Sequence, residues 1–207
     1  MGIPVCLTVI LIGVFFMHIF SESASSRNKK KIKEFLDEQN NIYILPKETL
    51  NNLEFINVEF SKIKFKPKSK ESKLAVKELK DFETKKICNF NNLSNNELKK
   101  MYGTNNFDDI LKYQTTYDEL LSKLVYTAEL LIQDGDDVSA ITLLEMSIKF
   151  NNDISKNYTL LADLYAKHSM RDKFFELIDL IKSNSKLSQS KILKHISKLQ
   201  ESKRKGE

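Results

Sequence analysis

Three observations predict a mostly α-helical protein whose core is a short stack of antiparallel helical hairpins, an α-solenoid. Glycine and proline are scarce, 5 and 3 in 207 residues, too few for the tight turns of a β-sandwich or barrel. Beyond residue 69 apolar residues recur mainly at intervals of three and four, the spacing of one helix face. From Leu121 onward the sequence aligns with itself at an offset of 34 residues, and a period of that length in helix–turn–helix units is how stacked hairpins share one core. An N-terminal transmembrane helix and a small extended or β arm in the middle region complete the expected architecture.

The N-terminal element spans residues 1–24. From Ile3 to Phe20 there is no formally charged side chain over 18 positions, roughly 27 Å of helix, which just crosses a bilayer core. Pro4 lies in the first turn, where its missing N–H costs nothing, and Gly13 is ordinary in a membrane helix. A cleaved signal peptide has a basic start and a small-x-small cleavage site. Here the start is Met1-Gly2, and only Ser21 and Ser23 offer weak cleavage positions, so a retained anchor is favoured. The cleaved, secreted or lumenal alternative is kept. Ile3, Pro4 and Val5 before Cys6 do not suit a lipid-attachment site.

The formal charge of +5 is largely local, because Arg27, Lys29, Lys30, Lys31 and Lys33 stand together just after the apolar run. Basic residues are retained on the cytoplasmic side. The expected topology is therefore single-pass, with the N-terminus outside and the C-terminal domain cytoplasmic. Residues 25–41 read as a basic juxtamembrane helix with Ile32, Phe35 and Leu36 on one side. In residues 42–68, Pro46 favours an extended predecessor. Ile56, Val58 and Phe60 then alternate with polar residues, as do Ile63 and Phe65 with Lys62, Lys64 and Lys66. That pattern predicts one or two short strands, or an extended arm laid on the helical domain. The lysines with Phe60 and Phe65 could contact a single-stranded nucleic acid, but no arginine or binding motif accompanies them, and a solvated face is preferred.

Residues 69–118 read as a helical capping region. Leu74, Ala75, Leu79 and Phe82, with Val76, form its first apolar stripe. Ser94 with Glu97 forms a capping box for a short helix that stops near Gly103, and a further helix starts around Asn106 with a break expected near Thr116.

Residues 119–202 hold the repeats, followed by a basic tail at 203–207. The offset of 34 aligns Leu124 with Tyr158 and Ile192, Ala128 with Ala162 and Ile196, and Leu131 with Tyr165 and Leu199. In the second helices Ala140 aligns with Phe174, Leu144 with Ile178 and Ser147 with Ile181. Small Ala128 and Ala162 let paired helices approach while the larger residues fill the space between them. Two repeats fall short of the roughly three needed for stability, so the preceding helices must cap one end, and Ile192, Ile196 and Leu199 the other.

This pattern resembles the tetratricopeptide repeat (TPR) family, with units at 121–154 and 155–188 and a terminal half unit. Phe174 stands where the family has a small residue, and Asn152 and Lys186 replace its proline. The resemblance implies a partner-binding groove lined by the first helix of each pair: Val125, Glu129, Ile132, Thr159, Asp163 and Ala166. Acidic Glu129 and Asp163 argue against capture of an acidic peptide terminus.

Catalytic signals are sparse. His18, His168 and His195 are linked to no nucleophile motif, and Cys6 and Cys88 are too far apart in sequence and setting to pair. Asp134, Asp136 and Asp137 lack EF-hand spacing and read as a turn. Asn92-Leu93-Ser94 and Asn157-Tyr158-Thr159 match the glycosylation pattern by chance. The expectation is a non-enzymatic, membrane-anchored scaffold or adaptor for an unidentified protein or peptide, with no cofactor, metal, nucleic acid or small-molecule substrate. The alternative is a secreted or lumenal helical protein with a structural or chaperone-like role.

Overall fold

The computed structural model describes residues 31–33, 50 and 53–205, with side chains to Glu201. These residues are mostly helical and contain no strand. The helices are α1 (Lys70–Lys80), α2 (Asn95–Tyr102), α3 (Phe107–Asp134), α4 (Asp137–Lys149), α5 (Ser155–Lys167), α6 (Arg171–Ser183) and α7 (Gln189–Lys205). The expected membrane helix at 3–20 lies outside the described residues, as do Arg27, Lys29 and Lys30. Lys31, Ile32 and Lys33 are helical and exposed. Among the described residues no helix is long and apolar enough to cross a membrane.

The chain divides into two compact units, and Asn92–Asp109 belongs to the first. There the capping box forms as expected: the Ser94 hydroxyl accepts from the Glu97 N–H at 3.3 Å, and the Glu97 carboxylate accepts from the Ser94 N–H at 2.7 Å. α2 ends where Gly103 adopts φ 86°, a conformation only glycine takes without strain.

The second unit comprises Glu54–Asn91 and Ile110–Glu207. Its core joins Val58 and Phe60 of the arm, Val76 and Leu79 of α1, Leu124, Ala128 and Leu131 of α3, and the apolar faces of α4 to α7. The short strands allowed for in the arm are not formed. Val58 and Phe60 nevertheless point inward, and Ile56, Ile63 and Phe65 pack against the same core. The arm has no ladder partner: Ile56 N–H reaches the Ile87 carbonyl at 2.8 Å, and the Glu83 carboxylate accepts from the N–H groups of Phe60 and Ser61 at 2.5 and 3.1 Å. Side-chain acceptors thus replace strand pairing.

Leu74 was placed on the apolar stripe of α1, but it is 56% exposed while Ser72 is buried. The buried set Ser72, Ala75, Val76 and Leu79 is a complete helical face at 100° per residue, and Leu74 lies opposite it. The break near Thr116 is absent, since α3 runs unbroken and Thr116 satisfies its hydroxyl on the Lys112 carbonyl at 2.8 Å.

α4 and α6 start 34 residues apart, at Asp137 and Arg171, and so do α5 and α7, at Ser155 and Gln189. The turns repeat as well. Asp136 N–H bonds the Leu131 carbonyl and Gly135 N–H that of Ile132, and Met170 bonds Tyr165 and Ser169 bonds Ala166 in the same way. These are paired helix-terminating bonds around a left-handed residue, Gly135 at φ 81° and Ser169 at φ 55°. Asn151, at φ 57°, closes α4 by the same device. A left-handed conformation costs a non-glycine residue about 1–2 kcal/mol, and glycine returns part of this as unfolded-chain entropy. Ser169→Gly is therefore expected to stabilise the fold by about 0.5–1 kcal/mol, read as a rise of about 2 °C in thermal midpoint.

α5 is the central helix, packed against α4, α6 and α7. Tyr158, Leu161, Ala162 and Tyr165 are all buried, and Ile192 and Ile196 of α7 close over that end of the core. Phe174, equivalent to Ala140, fits with its ring edge-on to Phe175 at a centroid distance of 6.0 Å and retains 9% exposure.

Candidate partner-binding face

The six groove residues expected from sequence lie on α3 and α5, but they are not all available to a partner. Val125 is buried, because residues 120, 121, 124, 125, 127, 128, 130 and 131 of α3 are covered around most of the helix circumference. Its assignment as a partner-facing residue is therefore corrected. Ile132 and Ala166 are half-buried and pack against the core. Thr159 bonds its own helix, its hydroxyl donating to the Lys156 carbonyl at 3.1 Å.

The two acidic groove residues instead join neighbouring helices. Glu129 of α3 pairs with Lys156 of α5 at 2.6 Å, and Asp163 of α5 meets His195 of α7 at 2.8 Å. Successive first helices are thus linked across one face, Glu129 to Lys156 and then Asp163 to His195. Exposed pairs of this kind contribute at most about 1 kcal/mol each. Their larger consequence is that a partner recognising either carboxylate must first displace the side chain bonded to it, Lys156 or His195.

The aspartates around Gly135 hold the arm. The Asp134 carboxylate accepts from the N–H groups of Lys68 and Ser69 at 2.6 and 3.1 Å and from the Ser72 hydroxyl at 2.5 Å. It thereby sits at the N-terminus of α1, where anions are favoured. The Ser72 hydroxyl and these N–H groups hold its carboxyl below the usual range. Asp136 caps α4 and accepts from Lys66 N–H at 2.7 Å. Asp137 is buried at the start of α4, with Lys167 at 2.5 Å and His168 at 2.7 Å. Burial pushes its pKa up, but the Lys167 and His168 bonds outweigh burial and the net shift is downward.

Because the folded-state pKa values of Asp134 and Asp137 are depressed, their contribution to stability is present above the unfolded value and lost as pH falls through the folded one. Stability is expected to drop below about pH 4. The Asp137→Asn variant should be less stable at neutral pH and show a shallower acid limb in thermal midpoint against pH. An unchanged acid limb would show that the pair does not contribute.

A buried polar cluster fixes the turn between α4 and α5. The Tyr117 hydroxyl donates to the Phe150 carbonyl, and the Tyr158 hydroxyl to the Asn152 carbonyl at 2.6 Å. The Asn152 side chain reaches Ser147 and accepts from Ile154 N–H at 2.7 Å. Burial, with the Asp118 and Asp153 charges, pushes Tyr117 up to about 12, and burial with Asp153 does the same for Tyr158, so both remain donors. Asn152 thus bends the chain at the place where a proline was missing from the repeat pattern. Asn157 is buried with its amide on the Leu144 carbonyl at 3.2 Å, which closes that glycosylation pattern to modification in the folded protein. Cys88 is buried too, and burial pushes its thiol up.

Two open clefts mark the second unit: one of about 730 Å³ beside Phe82, Asp118, Lys123 and Tyr126, and one of about 350 Å³ beside Tyr165, Leu177 and Leu180. Neither is lined by the six groove residues. Among the described residues no group of three or more His, Cys, Asp or Glu side chains is placed to hold a metal ion. No protein-family model, curated protein or solved structure matches the chain.

Proposed function

We propose that this chain is a membrane-anchored scaffold whose TPR-like hairpins bind a protein or peptide partner on the cytoplasmic face. The observation that carries the reading is the recurrence at 34 residues of helix starts and of the left-handed turn, from Gly135 to Ser169. A fold of stacked hairpins presents helix faces rather than a closed pocket, which favours recognition of another chain. The basic flank of residues 3–20 supports the orientation, and Asp163 and Glu129 set its electrostatic character.

Carbonate extraction and protease protection of the full chain test the anchor: retention in the membrane fraction with the C-terminal part digestible from the cytoplasmic side is expected, and release as a chain shortened near Ala24 would favour the secreted alternative. Proximity labelling with the full chain and with Glu129→Lys/Asp163→Lys tests the groove. Neighbours lost from the double variant are the expected result, and an identical neighbour set removes the groove from the proposal.

A further inference from the structure

We propose that the outward face of α1, with the arm beside it, docks on an anionic lipid membrane, which deepens the membrane-anchored reading and rests on it for its setting. Opposite the buried face of α1, Lys70, Lys73, Leu74 and Lys77 are exposed. The acidic residues of the helix are turned aside: Glu71 accepts from the Tyr126 hydroxyl at 2.6 Å and Glu78 pairs with Lys123, both on α3. Among the described residues no carboxylate is ion-paired with Lys64, Lys66, Lys70, Lys73 or Lys77. These five lysines are therefore held in no ion pair among the described residues.

The arm widens the face. The Lys80 ammonium lies 5.9 Å from the Phe65 ring centroid, which sets the arm along the lysine side of α1, and Lys64 and Lys66 stand exposed on either side of Phe65. Leu74 is 56% exposed among these lysines. Cations around an aliphatic side chain suit the headgroup boundary, where lysines meet anionic lipid and the leucine enters toward the acyl chains. Single-stranded nucleic acid is the weaker fit, because it is held by aromatic stacking as well as charge. Phe60 is buried, Phe65 is turned to the core, and no arginine lies between Arg27 and Arg171.

The test uses the full chain, its Lys70→Gln/Lys73→Gln/Lys77→Gln variant, and Lys149→Gln/Lys191→Gln/Lys194→Gln as a control with the same charge loss. Partitioning is measured onto phosphatidylcholine vesicles with and without phosphatidylserine. On phosphatidylserine-containing vesicles the α1 variant is expected to bind on the order of a hundredfold more weakly than the parent chain. The control should bind nearly as the parent does, and high salt should erase the difference. Binding to phosphatidylcholine alone reports residues 3–20, so its absence counts against the anchor and leaves the phosphatidylserine comparison readable. Equal binding by the α1 variant and the parent overturns the proposal, as does an equal loss in the control. Binding of a labelled single-stranded RNA with the same lysine dependence, without discrimination between vesicles, overturns it in favour of nucleic acid.

Discussion

Replacing Phe60 by alanine is expected to destabilise the second unit by about 3–5 kcal/mol, the cost of emptying a phenylalanine site in a packed core. Phe60 is fully buried and belongs to the same cluster as Leu79, Leu124 and Leu131, although it sits in a segment with no regular structure. The loss should spread beyond the cavity, because among the described residues Val58 and Phe60 are the arm's two buried side chains; its other attachments include the partly buried Ile56, Ile63 and Phe65, the Ile56 N–H on Ile87, Glu83 at the Phe60 and Ser61 N–H groups, Asp136 at Lys66 and Asp134 at Lys68 and Ser69. Urea unfolding of the full chain in mild detergent, followed by far-UV circular dichroism, measures the effect. An unchanged slope with a lowered midpoint indicates a change in stability alone. Lys64→Ala serves as the comparison, since its side chain is exposed and a change within about 0.5 kcal/mol is expected. A Phe60→Ala cost under about 1 kcal/mol would show that the arm is dispensable to the core.

Ile192→Ala is the second large expected effect, about 2–5 kcal/mol. α7 packs against α5 and α6, with Ile192 fully buried and Ile196 nearly so. Without that contact the faces of α5 and α6 that α7 covers are exposed, and a stacked-hairpin core cannot end on a bare apolar face. The His195 bond to Asp163 adds little, because both side chains are well exposed. Limited proteolysis should show new cleavage within α7 in Ile192→Ala before the rest of the unit opens. Leu193→Ala, at a half-buried position, is expected to cost clearly less. Equal costs at 192 and 193 would contradict the assigned face of the helix.

The helices beyond Leu121 and their buried positions are legible because their determinants are local and periodic. Leu124, Ala128, Leu131, Tyr158, Ala162 and Ile192 were picked out by spacing alone and all are buried. The capping box at Ser94 and the stop at Gly103 were legible for the same reason, since each is made by residues within one turn. Alternation correctly assigned Val58 and Phe60 to an inward face but overreached in allowing strands, because a ladder requires a partner that side-chain pattern cannot reveal. Leu74 is misplaced by its apolar character beside Ala75 and Val76, although the spacing of Ala75, Val76 and Leu79 puts Ser72, and not Leu74, on the inward face. What the sequence does not reveal is the partner that satisfies the buried serine: Asp134, 62 residues away, takes the Ser72 hydroxyl.

The candidate face was the least legible. Sequence placed Glu129 and Asp163 on exposed positions of successive first helices, but their bonding partners, Lys156 and His195, come from the next first helix in each case. Sequence likewise marked Asp134, Asp136 and Asp137 as an ordinary turn. Their roles as acceptors for the arm and as partner to Lys167 and His168 depend on chain segments about 30 to 70 residues away.

By itself the sequence determined the helical character of the second unit and the phase of the repeat helices, because periodicity and capping are properties of a few neighbouring residues. The tertiary structure alone decided that the arm is a core element without a strand partner, that Val125 is buried, and that the lysines of α1 face outward while its glutamates turn to α3. Each of those outcomes depends on which distant segment lies against a given face, and so on burial and hydrogen-bond partners contributed from elsewhere in the chain.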